Sequence, residues 1–138
     1  MGKRREGREA AIQFLFQRDL NSGEQRESLA HFWEIRTATE KTRGFANALI
    51  HGVIAQQPAI DERITAIAAN YQLDRIAAVD RNILRVAIYE MLFTDDVPPV
   101  VSINEAIEIA KRFGSEDSGR FVNGILDKVR KEIVRPLR

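Results

Sequence analysis

Few residues in this sequence could perform acid–base or metal chemistry. The chain has two histidines and no cysteine, which excludes disulfides, thiolate metal sites and thiol nucleophiles within it. His31 and His51 fall in different predicted helices, and we interpret them as ordinary surface or core histidines. Glu90 lies inside the apolar arc of a predicted helix, where we expect a basic side chain or backbone donors to hold its carboxylate. Ser102 and Ser118 suit helix caps better than nucleophiles, because no histidine is placed to activate them. The sequence therefore predicts no catalytic centre.

Basic residues concentrate near the two ends of the chain, although the formal net charge is only +1. Lys3, Arg4, Arg5 and Arg8 lie in the N-terminal run, and residues 128–138 are also predominantly basic. Local clusters of this kind can bind anions such as phosphate groups. On charge alone, a solvated tail is an equally good interpretation of the N-terminal run.

Aromatic and basic side chains are interleaved around two glycines in residues 111–121. Aromatic rings can stack on the bases of a single-stranded nucleic acid while cations follow its backbone. This pattern makes the segment a second candidate site for nucleic acid. The side chains concerned are Lys111, Arg112, Phe113, Arg120 and Phe121.

Two residues of the last predicted helix leave alternatives open. Phe121 lies at the edge of the apolar stripe, where a ring can belong to the core or form a partly open base platform, and residue chemistry alone slightly favours the core. Gly124 lies inside the helix, where glycine costs about 1 kcal/mol relative to alanine. We therefore expect either close helix packing or the close approach of another molecule at Gly124.

Apolar residues recur at helical spacing along almost the whole chain, and nothing alternates convincingly as a strand. Residues 79–93 are apolar around most of the helical circumference, which predicts a central helix. A narrow polar strip of Arg81, Arg85 and Tyr89 is expected to face solvent or a partner. We predict one all-α domain over residues 1–138, a bundle of about seven helices.

Prolines, glycines and caps predict where the helices end. Pro58 is expected to end one helix and to lie in the first turn of the next, and the prolines of residues 95–99 to break another. Ser102 and Glu105 form an S-x-x-E capping box, and Gly114 ends the helix that follows. No stretch approaches the roughly 20 apolar residues that a membrane span needs, so we expect a cytoplasmic protein with no membrane partner.

Several segments, in chain order, resemble the NusB family of transcription antitermination proteins. The first of these segments contain the N-terminal arginines and, further along, Leu49, Gly52 and Val53. The other segments are VDRNILRVAIYE at residues 79–90, INEAIEIAK at residues 103–111 and FGSEDSGRFVNGILD at residues 113–127. Together they cover nearly the full chain, and the last three are highly specific to the family.

The resemblance implies an all-helical fold of two small bundles and a binding function without catalysis or a cofactor. It implies that the protein, with the ribosomal protein NusE, binds boxA RNA in nascent ribosomal RNA transcripts. The complex would join the antitermination assembly on RNA polymerase. Self-association into a homodimer stays open.

The resemblance also carries site residues over by position. The RNA face would include Arg4, Arg5, Arg8, Phe113, Asp117 and Phe121, to which Lys3, Lys111 and Arg120 are added on charge and position. The face for the partner protein would include Phe16, Asp80 and Arg85. The sequence departs from the family in two of these regions, because Glu6 and Gly7 interrupt the arginine run and Phe16 stands where tyrosine is common. Tyr71 stands near a position that is often tryptophan.

Two other functions remain as alternatives. One is a helical module that binds a protein but no RNA. The other is the NusB-like domain of a ribosomal RNA cytosine methyltransferase, which would need a further strand-rich nucleotide-binding domain.

Overall fold

Helices account for most of the described residues. The computed structural model describes residues 2–23, 26–68 and 70–133, and no strand occurs within those ranges. The all-α prediction is therefore confirmed, with six α-helices and a short 3-10 turn in the described chain. In order, they are α1 (Lys3–Leu20), α2 (Leu29–Ile35), α3 (Glu40–Ile67), the 3-10 turn (Leu73–Arg75), α4 (Ala78–Phe93), α5 (Pro99–Phe113) and α6 (Ser118–Arg130).

The central position predicted for α4 is confirmed. This helix packs against α1, α3, α5 and α6. Its side chains Ile83, Leu84, Ile88 and Met91 are fully buried among them. Removing such apolar surface from water is the main driving force for the bundle.

Arg85, in the polar strip of α4, is not open to solvent, which corrects the sequence prediction for this residue. Arg85 is 4% exposed, because Asp19 on α1 and Asp61 on α3 cover it. Its guanidinium donates to both carboxylate oxygens of Asp61, at 2.8 and 3.0 Å, and to Asp19 Oδ2 at 2.7 Å. Arg81 donates to the same Asp19 oxygen at 2.9 Å. The helical wheel shows which residues share a face, but not that neighbouring helices bring acids to it.

The carboxyl group of Asp19 makes the stability of this cluster depend on pH. Burial raises its pKa, but the charge of Arg85 and the hydrogen bonds from Arg81 and Asn82 outweigh burial and hold the pKa below its usual value. A depressed folded-state pKa stabilises the fold above the unfolded value of about 4, and that stabilisation is lost as the pH falls through the folded value. We expect the free energy of unfolding, from urea titrations, to fall more steeply below about pH 4 in the wild type than in Asp19→Asn. Equal slopes would contradict this assignment.

Helix α3 continues through Pro58, so the predicted break at that residue is wrong. Proline removes one helical hydrogen bond and costs about 3 kcal/mol in a helix interior. The buried residues Ile50, Val53, Ile60 and Ile64 lie on both sides of it at helical spacing. Their shared apolar stripe faces one core, and this packing offsets the local cost.

Helix α5 begins at Pro99, before the predicted capping box. Proline is well suited to a first helical position, because its missing N–H would have no partner there. Ser102 is therefore an interior residue, and its buried Oγ has no hydrogen-bond partner among the described residues. Glu105 contacts α1 instead of capping α5. The end of α5 at Phe113, before Gly114, is as predicted.

Candidate nucleic-acid interface

The four N-terminal cations fall into two pairs. Lys3 and Arg4 are exposed. Arg5 donates two hydrogen bonds to Glu105 on α5, at 2.7 and 2.6 Å, and these bonds hold the pKa of the Glu105 carboxyl group below its usual value. Arg8 is 4% exposed. The expected run of four exposed phosphate-binding side chains is therefore corrected, because α1 starts at Lys3 and its helical turn carries Arg8 into the interior.

Arg8 is the basic partner that the sequence predicts for Glu90. Its guanidinium donates to both carboxylate oxygens of Glu90, at 2.7 and 2.9 Å, and both side chains are buried. Two parallel bonds of this kind fix the geometry of the pair. The pair joins α1 to the end of α4.

Phe45 on α3 holds the exposed Arg4 in place. The Arg4 guanidinium lies 5.1 Å from the centroid of the Phe45 ring, and that of Arg8 lies 5.4 Å from it. The ring approaches α1 so closely that a Cβ atom on Gly7 would lie 2.7 Å from Phe45 Cδ2. A glycine at this position therefore allows the contact. Gly7, which interrupts the arginine run in the sequence, is needed for the packing of α1 on α3.

Ion pairs along α1 and α5 connect the N-terminal cations with the aromatic segment. Arg5 contacts Glu105 near the middle of α5, and Glu9 contacts Arg112 near its end, at 3.1 Å. The Arg112 guanidinium also lies 4.8 Å from the centroid of the Phe113 ring. The sequence places Arg112 among the cations of this segment, but it does not predict the contact with Glu9 on α1. The N-terminal cations and the aromatic segment thus lie along one line of the surface where α1 and α5 face each other. We call this line the seam.

The junction between α5 and α6 presents Phe113 to solvent, with 49% of the residue exposed. Lys111, Asp117 and Arg120 are exposed around the same junction. The turn is fixed by Ser118, whose Oγ accepts a hydrogen bond from the Ser115 backbone N–H at 2.8 Å. Ser118 is therefore not the helix cap that the sequence predicts. Its side chain bonds within the turn, and Asp117 is the residue that precedes α6.

Phe121 is half-buried and contacts Tyr71, with ring centroids 5.5 Å apart in an edge-to-face arrangement. Both rings line a pocket of about 200 Å³ that also includes Asp80 and Asp117. Asp80 is 8% exposed, and its buried Oδ1 has no hydrogen-bond partner among the described residues. The resemblance placed Asp80 on the protein face and Asp117 and Phe121 on the RNA face, but the structure brings all three together.

Comparison with known proteins identifies the family to which this chain belongs. The family model described as NusB family matches residues 5–131. This chain belongs to the NusB family. It is 50% identical over 129 residues to the transcription antitermination protein NusB of Trichlorobacter lovleyi, covering 94% of this chain and 91% of that protein. It is 47% identical over 131 residues to NusB of Bacillus subtilis, covering 95% of this chain and 97% of that protein.

Solved NusB structures share the fold. A structure of T. maritima NusB superposes with a TM-score of 0.83 at 41% identity, covering 96% of this chain and 93% of that one. A crystal structure of the antitermination factors NusB and NusE in complex with dsRNA contains a chain that matches at a TM-score of 0.80 and 24% identity. That match covers 95% of this chain and 98% of the other, and at this identity it supports the fold.

The remaining residues expected on the protein face of this NusB-family chain differ in accessibility. Phe16 is half-buried on α1. Arg85 is enclosed by Asp19 and Asp61 and does not lie on the surface. In the described part of the chain, no group of three or more potential metal ligands occurs. None of the described helices is long and apolar enough to cross a membrane.

Proposed function

We propose that this chain, as one domain over residues 1–138, is a transcription antitermination factor that works by binding and not by catalysis. With NusE, it binds boxA-type single-stranded RNA in nascent ribosomal RNA transcripts and joins the antitermination complex on RNA polymerase. Its place of action is then the cytoplasm, and it needs no cofactor. The names of its relatives support the antitermination role, and the solved complex of NusB and NusE with dsRNA supports RNA binding together with NusE.

The observation that carries the proposal is the exposed aromatic and basic surface at the α5–α6 junction. Phe113 and Tyr71 expose large parts of their rings, and Phe121 lies against Tyr71. Lys111 and Arg120 stand beside them with exposed charges. Single-stranded RNA is recognised by this combination, because its unstacked bases stack on rings and its phosphates attract cations.

A second observation that supports the proposal is the seam, which leads from this junction to Lys3 and Arg4. Both cations are exposed at the start of α1, and a groove of about 520 Å³ opens between Arg4 and the start of α5. A strand that follows the seam would meet rings at one end and cations at the other. The ion pairs of Arg5 and Arg8 with Glu105 and Glu90 make those two arginines supports of the groove.

A transcription assay tests the proposed function. An extract of the same organism is depleted of this chain, and templates carry either boxA or a scrambled boxA ahead of a terminator. Adding back the purified protein is expected to increase read-through on the boxA template alone. Equal read-through on both templates would favour a helical module that binds no RNA.

A further inference from the structure

Gly124 lies in the middle of α6 at a place where packing does not require glycine. A Cβ atom built there would meet no atom within 4 Å, and the residue is exposed. Glycine destabilises a helix interior relative to alanine. Of the two explanations that the sequence left open, close packing within the described chain is therefore excluded, and the approach of another molecule remains.

The open space over Gly124 is part of a pocket of about 250 Å³. Its apolar floor consists of Ile67, Ala68 and Ile125, and the rings of Tyr71 and Phe121 form one wall. Tyr71 is 54% exposed, although its ring contacts Phe121 edge-to-face. The Tyr71–Phe121 pair separates this pocket from the one that contains Asp80, since both pockets include the two rings.

The rim of the pocket is cationic. Arg120 and Lys128 both line it, and both are exposed. The Arg120 side chain is 88% exposed, and its contact with Asp117, which is 82% exposed, is 3.7 Å long. Such a surface contact contributes little, so Arg120 can turn to an incoming anion. A flat apolar group attached to an anionic chain fits both the floor and the rim.

We propose that the pocket over Gly124 binds one unstacked base of single-stranded RNA, with Tyr71 beside the base and an adjacent phosphate on Arg120 and Lys128. The missing side chain at residue 124 leaves the base room to reach the surface of α6. This inference rests on the proposed function and adds Tyr71, Gly124 and Lys128 to its RNA surface. An apolar side chain of a partner protein would fit the floor but would leave the two cations unused.

The substitution Gly124→Leu tests the pocket. Leucine is a better helix former than glycine, so the melting temperature is expected to stay equal or rise. The added side chain fills the space, and the affinity for a fluorescent boxA-type RNA, with NusE present, is expected to fall about tenfold. Asn123→Leu is the matched control, because residue 123 is exposed on the same helix and outside the pocket lining.

A second pair of variants tests the ring. Tyr71→Leu is expected to weaken RNA binding about tenfold as well, and Tyr71→Phe to restore it, because stacking needs the ring and not the hydroxyl group. If Gly124→Leu binds RNA as the wild type does, the inference is overturned while the wild-type binding still supports the proposed function. If Gly124→Leu keeps RNA binding but loses NusE, a protein occupies the pocket and the inference is also overturned. A wild-type chain that binds no RNA would overturn both.

Discussion

Replacing Arg8 with methionine is expected to lower the free energy of unfolding by about 3–5 kcal/mol. The guanidinium of Arg8 lies against the carboxylate of Glu90, and both side chains are buried. Removing one partner of a buried ion pair leaves a charge that the interior solvates poorly, and this accounts for the large expected effect. Urea unfolding followed by far-UV circular dichroism measures the change.

The double substitution Arg8→Met with Glu90→Leu is the matched control. Apolar side chains of similar volume can replace a buried ion pair with little loss of stability, or with some gain. We therefore expect the double variant to recover most of the stability and to bind RNA as the wild type does. A stable double variant that binds RNA at least tenfold more weakly would show that Arg8 contacts the RNA directly.

Replacing Phe121 with alanine is expected to weaken the binding of boxA-type RNA, with NusE present, about tenfold. A base stacked on an aromatic ring contributes about 1–3 kcal/mol, and each 1.4 kcal/mol corresponds to a factor of ten in affinity. The substitution removes the ring between the Asp80 pocket and the Gly124 pocket. Fluorescence anisotropy of a labelled RNA measures the affinity.

Phe93→Ala is the control for this loss. Phe93 is also an exposed phenylalanine, but it lies at the end of α4, where its ring stacks on Tyr89. It lines neither the groove at the start of α5 nor the two pockets that include Phe121. The length of α5, about 20 Å at 1.5 Å per residue, separates it from the junction that Phe121 lines. If Phe93→Ala and Phe121→Ala weaken binding equally, stacking at the junction does not explain RNA recognition.

The helical periodicity of the sequence predicted the fold class and the place of α4 because these depend on which residues are apolar. Residues 79–93 are apolar around most of the helix, and only a central helix can bury apolar side chains on most of its sides. Gly114 marked the end of α5 for a local reason as well, since a Cβ atom there would lie 2.5 Å from the Ser118 Cβ atom. Local sequence was sufficient in both cases.

Most of the wrong predictions share a physical cause, since they depended on contacts between helices. Pro58 is a local helix breaker, but the core contacts of α3 on both sides of it outweigh the local preference. Ser102 and Glu105 fit a capping box, yet Pro99 starts the helix earlier and Arg5 of another helix binds Glu105. Arg8 and Arg85 were expected at surfaces because charged residues usually are, but acids of other helices enclose them.

The candidate site was predicted in part. Phe113, Phe121 and the exposed cations came from the interleaving of residue types within one segment. Tyr71 and Asp80 lie far from that segment in the sequence, so the pockets they share with Phe121 exist only in the folded chain. One sign of the second pocket was visible in the sequence, namely the glycine inside a predicted helix at position 124.

The most direct test of the central claim is a titration of fluorescent boxA-type RNA with this protein, alone and premixed with NusE. A scrambled RNA of equal length is titrated in parallel. The account predicts tighter binding to the boxA-type RNA than to the scrambled RNA, with the difference largest when NusE is present. Equal binding to both RNAs, or binding to neither, would contradict it.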